Sequence, residues 1–129
     1  MNKVIFVCGL IGAGKTTWAK KQSRLVTDFD DLPDGSTKRD QIRLTKRLLK
    51  KGDVFHITCY PKPEELRAFT DREKEFVLID TGKRQAKTNI LIRNRCRDME
   101  NIGGVTRANK DYWKMYQNSD LPFRKVKVM

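Results

Sequence analysis

The chain has 129 residues, enough for one compact domain with a single hydrophobic core, and we expect residues 1–129 to form that one domain. Lysine and arginine total 28 residues against 16 aspartate and glutamate residues, and the resulting formal net charge of +12 attracts polyanions. No stretch approaches the ~20 consecutive apolar residues of a membrane span, and the cysteines show no disulfide or metal-ligand spacing, so we expect a cytoplasmic protein without membrane contact.

A glycine-rich segment follows the first predicted strand, which covers about residues 2–8. Residues 9–16 read Gly-Leu-Ile-Gly-Ala-Gly-Lys-Thr, the G-x-x-x-x-G-K-[ST] pattern of a phosphate-binding loop in its strand–loop–helix setting. Its glycines let successive backbone N–H groups surround an anion, and the helix that begins near Gly14 adds unpaired N–H groups. The pattern predicts binding of ATP or GTP. The residues expected to contact the nucleotide here are Gly9, Gly12, Ala13, Gly14, Lys15, Thr16 and Thr17.

Two side chains of this loop have chemistry of their own. Lys15 supplies a positive charge for the β- and γ-phosphates, so we expect it to be catalytic as well as nucleotide-binding. The hydroxyl of Thr16 is a suitable ligand for the Mg²⁺ that accompanies a nucleoside triphosphate. The sequence therefore predicts ATP or GTP together with Mg²⁺ as cofactors.

An acidic cluster, residues 28–31, ends the second predicted strand. In parallel sheets ligands bind beyond the carboxyl ends of the strands, so this cluster is expected on the same rim as the phosphate-binding loop. Phosphoryl transfer needs a carboxylate that orients the acceptor and takes its proton, or one that holds Mg²⁺ through water. Asp28, nearest the strand end, is the candidate for the first role, and Asp30 is a candidate for the metal. A solvated acidic turn or a helix cap remains the alternative.

A strongly basic helix is predicted next. Thr37 and Asp40 have the spacing of a capping box, and the helix is expected to run to about residue 51. Ile42 and Leu49 fall on the side that can pack inward. The basic residues that share the opposite face are Arg39, Arg43, Lys46 and Lys50. Such a face suits a phosphorylated or polynucleotide acceptor, and a solvated surface helix is the alternative.

The rest of the chain continues to alternate strands and helices. Strands are expected at about residues 54–59, 76–80 and, as an edge strand, from 123. Helices are expected at about residues 64–71, 85–99 and 110–117, with a break at Gly103-Gly104. This alternation predicts an α/β fold, a parallel sheet of four to five strands with helices on both faces. His56 is expected to be packed or capping, and aromatic residues in the last helix either pack in the core or stack on bases.

The order of these motifs resembles that of the small P-loop kinases, which phosphorylate nucleotides, polynucleotide ends, shikimate, gluconate or aminoacyl-tRNA. Several phage-encoded members are similarly compact, and the resemblance covers roughly residues 2–100. It implies a three-layer P-loop NTPase fold with the nucleoside-kinase type of strand order. In these families a strand-two aspartate faces the acceptor, matching Asp28. A lid of arginines contacts the triphosphate, matching Arg93 and Arg95 as catalytic residues and Arg97 as a nucleotide contact.

We therefore expect an ATP·Mg²⁺-dependent phosphotransferase that acts on a nucleotide or a nucleic-acid 5′ end. Two alternatives stay open. Four apolar residues followed by Asp80 also match the metal-binding strand of motor-type ATPases, which would indicate a nucleic-acid-stimulated ATPase. Many relatives carry an aspartate at the end of strand three, whereas here no carboxylate follows that strand until Glu64, which would suit a non-catalytic nucleotide-binding module acting through a partner.

Overall fold

A computed structural model describes residues 2–81, 85, 86, 89 and 102–127. Its elements in chain order are β1 (Val4–Cys8), α1 (Lys15–Gln22), β2 (Val26–Asp28), a 3-10 turn (Phe29–Asp31), α2 (Lys38–Leu48), β3 (Val54–Thr58), α3 (Pro63–Ala68), β4 (Lys74–Ile79), α4 (Ile102–Gln117) and β5 (Phe123–Val126).

The strands form one five-stranded sheet in the order β2-β3-β1-β4-β5, and every neighbouring pair is parallel. The central strand β1 is buried along its whole length. Its uninterrupted apolar sequence is typical of a parallel strand that is covered on both faces. The predicted α/β fold with a parallel sheet is confirmed, with five strands, and the tail forms the edge strand β5 as expected.

Helices cover both faces of the sheet, and each face has its own hydrophobic cluster. Successive side chains of β1 point to opposite faces. Val7 belongs to the cluster that contains Ala19 of α1 and aromatic residues of α4. Phe6 belongs to the other cluster, together with Ile42 of α2 and Phe69, which follows α3. The inward-facing positions predicted for α2 are confirmed by the burial of Ile42 and Leu49.

Helix α4 differs from the sequence prediction. The expected break at Gly103-Gly104 was wrong, because α4 begins at Ile102 and runs through both glycines to Gln117. Glycine disfavours a helix mainly in its interior, and these two residues lie in the first turn, where N–H groups have no intrahelical acceptor in any case. Of the helix predicted over residues 85–99, only residues 85, 86 and 89 are described, and all three are helical.

Among the described helices, none is both long enough and apolar enough to cross a membrane.

Candidate functional site

A cleft of about 790 Å³ opens at the carboxyl ends of β1, β2 and β3. It is lined by residues 11–17 of the glycine-rich loop and first turn of α1, by residues 28–30 after β2, and by residues 57–60 at the end of β3. The carboxyl ends of parallel strands meet at one edge of the sheet, which is where α/β proteins bind ligands. The loop and the acidic cluster therefore face one cavity, as the topology predicted.

The loop conformation requires glycine at specific positions. A Cβ on Gly9 would lie 3.2 Å from both the Cβ of Ala13 and the carbonyl oxygen of Ile79. Gly14 has φ 94° and ψ 21°, the left-handed region that other residues rarely adopt, and it immediately precedes α1. Because the first turn of a helix lacks intrahelical acceptors, the N–H groups of residues 15–17 are available to an anion at this edge of the cleft.

Side chains from distant parts of the chain fix the loop in place. Asn109 of α4 is buried, and its amide pairs with the backbone of Ile11, accepting from the N–H at 2.7 Å and donating to the carbonyl at 2.9 Å. Two further side chains donate to loop carbonyl oxygens: Thr81 Oγ1 to Ala13 at 3.1 Å and Asn89 Nδ2 to Gly12 at 2.8 Å. Sequence reasoning missed all three side chains, because no local pattern marks a contact across as many as 98 residues.

Lys15 lies across the loop that precedes it. Its Nζ donates to the carbonyl oxygens of Gly9 and Leu10, both at 2.9 Å, and lies 3.4 Å from Cys59 Sγ. These contacts hold the ammonium group at the wall of the cleft rather than in solvent. The positive charge and the first-turn N–H groups of α1 thus belong to the same lining surface.

Asp28 joins the end of β2 to the first turn of α1, which follows the glycine-rich loop. Its Oδ2 accepts a hydrogen bond of 2.6 Å from Thr16 Oγ1, and its Oδ1 accepts one of 3.0 Å from the backbone N–H of Asp30. Asp28 is buried, whereas Asp30 is exposed, and both line the cleft. Since Thr16 directs its only proton to Asp28, the lone pairs of its oxygen stay available to a cation.

The residues at this point suit a magnesium ion bound with a nucleotide. Within the described ranges, no group of three or more His, Cys, Asp or Glu side chains could hold a metal ion by itself. Mg²⁺ in nucleotide sites takes only one or two oxygens from the protein, and phosphates and water complete its octahedron. The Thr16 hydroxyl and the Asp28 carboxylate, in contact with each other, match that donor set.

A buried polar network lies behind the wall of the cleft that β3 forms. Glu65 of α3 is fully buried and accepts hydrogen bonds from His56 Nε2 at 2.6 Å, Thr58 Oγ1 at 3.1 Å and the backbone N–H of Lys62 at 3.0 Å. The other ring nitrogen of His56 lies 2.7 Å from the hydroxyl of Thr45. The prediction that His56 is packed is therefore confirmed, and its partner is a carboxylate that sequence reasoning overlooked.

Burial, hydrogen bonding and a nearby charge together set the charge states of His56 and Glu65. Burial lowers the pKa of His56 below its ordinary value of 6.5, although Glu65 opposes the shift. Burial would raise the pKa of Glu65, but the hydrogen bond from His56 and the charge of Lys38 outweigh it, so that this pKa lies below 4.5. A neutral imidazole donating from Nε2 to an ionised carboxylate satisfies both groups.

Asp80 is not among the described residues that line the cleft. Its backbone N–H donates to the carbonyl oxygen of Val126 at 2.7 Å, and the residue lines a smaller cavity of about 200 Å³ with residues of β4 and α4. The arginines expected to form a lid, Arg93, Arg95 and Arg97, lie outside the described residues. The basic residues predicted on the outer face of α2 are exposed: Arg39, Arg43, Lys46 and Lys50.

The aromatic residues of α4 pack mainly in the core. Tyr112, Trp113 and Tyr116 are partly buried against the cluster that contains Val7. Tyr112 also lines the cleft, and burial raises the pKa of its hydroxyl above the ordinary value. The core-packing alternative thus holds for these residues.

No model of a known protein family matches the sequence, and no curated protein matches it significantly.

Proposed function

We propose that the protein is a P-loop phosphotransferase that moves the γ-phosphate of ATP or GTP to a nucleotide or a nucleic-acid 5′ end. The observation that carries this proposal is the 2.6 Å contact between Thr16 and Asp28, made at the mouth of the glycine-rich loop. It joins the hydroxyl proposed as a metal ligand to a carboxylate at the end of β2, which lies two positions from β1 in the sheet. The strand order β2-β3-β1-β4-β5, with helices on both faces, is compatible with a three-layer P-loop NTPase of the nucleoside-kinase type.

The nucleotide side of the cleft consists of the loop and α1. Backbone N–H groups of residues 14–17 are proposed to bind the β- and γ-phosphates, with Lys15 neutralising their charge. Its bonds to the Gly9 and Leu10 carbonyl oxygens restrain the ammonium before a nucleotide arrives. Restraint of this kind lowers the entropy lost on binding.

Thr16 and Asp28 are proposed to hold Mg²⁺, Thr16 as a direct ligand and Asp28 beside it. When bound, the ion would offset the negative charge of the β- and γ-phosphates. Asp30 lines the same wall and is exposed, so it is a further candidate for contact with the ion through water.

The proposed step is an in-line displacement. With a 5′-hydroxyl acceptor the hydroxyl oxygen forms a bond to the γ-phosphorus, and with a nucleoside monophosphate a phosphate oxygen forms it. In both cases the bond from that phosphorus to the β–γ bridging oxygen breaks, releasing the nucleoside diphosphate. The hydroxyl proton passes to Asp28, whose oxygens retain lone pairs beyond those used by Thr16 and Asp30. Arg93 and Arg95 keep the proposed role of neutralising charge on the transferred group, and Arg97 that of a nucleotide contact.

Two observations help to distinguish phosphoryl transfer from the two alternatives, an ATPase and a module that only binds nucleotide. Asp80, on which the ATPase alternative depends, lines a separate cavity from the phosphate-binding loop. Asp28 supplies a carboxylate in contact with the loop although strand three has none, which reduces the case for a module that only binds nucleotide. Both observations favour transfer to an acceptor.

Label transfer from [γ-³²P]ATP tests the proposal. The acceptors are nucleoside monophosphates and 5′-hydroxyl oligonucleotides, and the variants are Lys15→Ala and Asp28→Asn. We expect transfer by the wild type and its loss in both variants. Asp31→Asn is the matched control, because Asp31 belongs to the same acidic cluster but is exposed and paired with Lys20 at the surface. Release of phosphate to water alone, or nucleotide binding without turnover, would contradict the proposal.

A further inference from the structure

A lysine on the acceptor side of the cleft is held far more firmly than a surface lysine. Lys38, the first residue of α2, lines the cleft, and only 16% of its side chain is exposed. Its Nζ donates to Gln41 Oε1 at 2.8 Å and lies 3.7 Å from Glu65 Oε2. Gln41 is itself fixed, since its Nε2 donates to the carbonyl oxygen of Ile57 at 2.8 Å.

The buried carboxylate of Glu65 explains why Lys38 stays there. An ionised carboxylate with no exposed surface needs a nearby cation as well as hydrogen bonds. His56 is neutral, so Lys38 supplies that charge. The ammonium group therefore lies between a buried anion and the cleft. It uses one of its three N–H donors on Gln41, and because no other described residue accepts a hydrogen bond from it, two donors remain for a ligand.

The neighbouring wall indicates where such a ligand would lie. The ring of Phe29 is 5.7 Å from Lys38 Nζ, and Phe29 directly follows Asp28 in the 3-10 turn. The carboxylate proposed to receive the acceptor proton, an aromatic face and a restrained ammonium group thus follow one another along the same side of the cleft.

We propose that Lys38 binds a phosphate group of the acceptor, and that buried Glu65 acts through Lys38 as a positioning residue. The inference rests on the proposed phosphotransfer, because it assigns the acceptor to one end of the same cleft. The acceptor class is then a nucleoside that already bears a phosphate, with its base against Phe29. A bare nucleoside would lack the contact to Lys38.

Binding of matched probes tests Lys38 without requiring turnover. Thymidine, thymidine 3′-monophosphate and thymidine 5′-monophosphate are titrated by calorimetry into protein saturated with Mg²⁺ and a non-hydrolysable ATP analogue. We expect the wild type to bind at least one monophosphate about 10- to 100-fold more tightly than thymidine, the range of a charge-assisted hydrogen bond. Lys38→Met should remove this preference, and Lys38→Arg should keep most of it. Arg47→Ala, which removes an exposed cation in the last turn of the same helix, should leave it unchanged.

Lys38→Met leaves Glu65 without its cation, so that variant alone is open to misfolding. The double variant Lys38→Met, Glu65→Gln removes both charges and keeps the size of the Glu65 side chain. Its amide oxygen can accept from Thr58 and Lys62, and its amide nitrogen can donate to His56 Nε2 once the imidazole proton is on Nδ1. It should fold, as judged by circular dichroism, and should show no preference for a monophosphate. A wild type that binds thymidine as tightly as both monophosphates, or a folded double variant that still prefers one of them, would overturn the assignment.

The role of Glu65 is measured by a double-mutant cycle. Glu65→Gln alone should weaken monophosphate binding several-fold and leave thymidine binding unchanged. In the Lys38→Met background the same change should have no further effect, and an equal effect in both backgrounds would show that Glu65 has only a structural role. Failure of the proposed function has a different result. The wild type would then still prefer a monophosphate over thymidine and lose that preference in Lys38→Met, but it would transfer no label to any acceptor.

Discussion

The hydroxyl of Thr16 donates a hydrogen bond of 2.6 Å to the carboxylate of Asp28. Thr16 belongs to the first turn of α1 and Asp28 ends β2, so the bond connects the helix that follows the glycine-rich loop to the end of a strand two positions from β1. Because Thr16 uses its only hydroxyl proton in this bond, the lone pairs of its oxygen stay available to a cation. The Thr16–Asp28 pair therefore connects the side of the cleft proposed for the nucleotide with the side proposed for the acceptor.

Removing the Thr16 hydroxyl should abolish Mg²⁺-dependent transfer. Thr16→Val keeps the size of the side chain but loses both the metal ligand and the bond to Asp28. We expect a fall of roughly 100-fold or more in kcat, the range found when one preorganised polar group is removed from an active site. Thr16→Ser keeps the oxygen and should retain most activity. Initial rates measured across a Mg²⁺ titration check this, and equal rates for the valine and serine variants would contradict it.

Asn109 should matter for both stability and nucleotide affinity. Asn109→Ala leaves the N–H and carbonyl of Ile11 without their partner. An unsatisfied buried polar group costs about 1–3 kcal/mol, so the free energy of unfolding should fall by about that amount, with an increase in KM for ATP.

Urea denaturation and steady-state kinetics measure the two effects of Asn109→Ala. The matched control is Asn118→Ala, because Asn118 follows the same helix and donates to the carbonyl oxygen of Lys114 from an exposed position. Equal changes in the two variants would show that the contact to Ile11 has no special importance.

The glycines of the chain should differ sharply in their tolerance of alanine. Gly9→Ala places a Cβ 3.2 Å from Ala13 and from the Ile79 backbone, so it should displace the loop and weaken ATP binding. Gly103→Ala meets no atom within 4 Å, so it should stabilise the fold by about 0.4–1 kcal/mol, because alanine lowers the conformational entropy of the unfolded chain. Thermal unfolding and nucleotide titration of both variants test the contrast. A Gly9 variant that binds ATP normally would count against the close packing of the loop.

Stability should fall on mild acidification because of His56. Burial lowers its pKa in the folded state, so below pH 6.5 the unfolded chain binds a proton that the folded chain does not. The contribution is complete above pH 6.5 and is lost as the pH falls toward the folded-state pKa. Glu65, whose pKa is also lowered, adds a second loss that begins below pH 4.5. Lys38 is the further charged group that acts on both residues.

Urea unfolding at a series of pH values from 7.5 to 5.5 measures this dependence. His56→Gln lacks the titrating ring and should show a flatter profile across that interval, whatever its absolute stability. A wild type that becomes more stable as the pH falls through this range would contradict the neutral, buried state of the imidazole.

Much of the rim of the cleft was predictable from sequence, because strand ends in a parallel sheet meet at one edge. The apolar run of β1, the loop that follows it and the acidic end of β2 together predict that Asp28 lies near Thr16. The supporting contacts were not predictable. Asn109 and Glu65 act through hydrogen bonds to residues outside their own helices, and neither periodicity nor spacing marks such a residue. The glycines of α4 led to a wrong prediction of a helix break, because glycine disfavours a helix less in its first turn than in its interior.

The fate of the γ-phosphate tests the central claim most directly. In a single turnover with [γ-³²P]ATP, Mg²⁺ and a nucleotide or 5′-hydroxyl oligonucleotide acceptor, label can appear on the acceptor or as inorganic phosphate. The account predicts label on the acceptor, with transfer lost in Asp28→Asn and unchanged in Asp31→Asn. Label found only in inorganic phosphate, released at the same rate with and without Asp28, would contradict it.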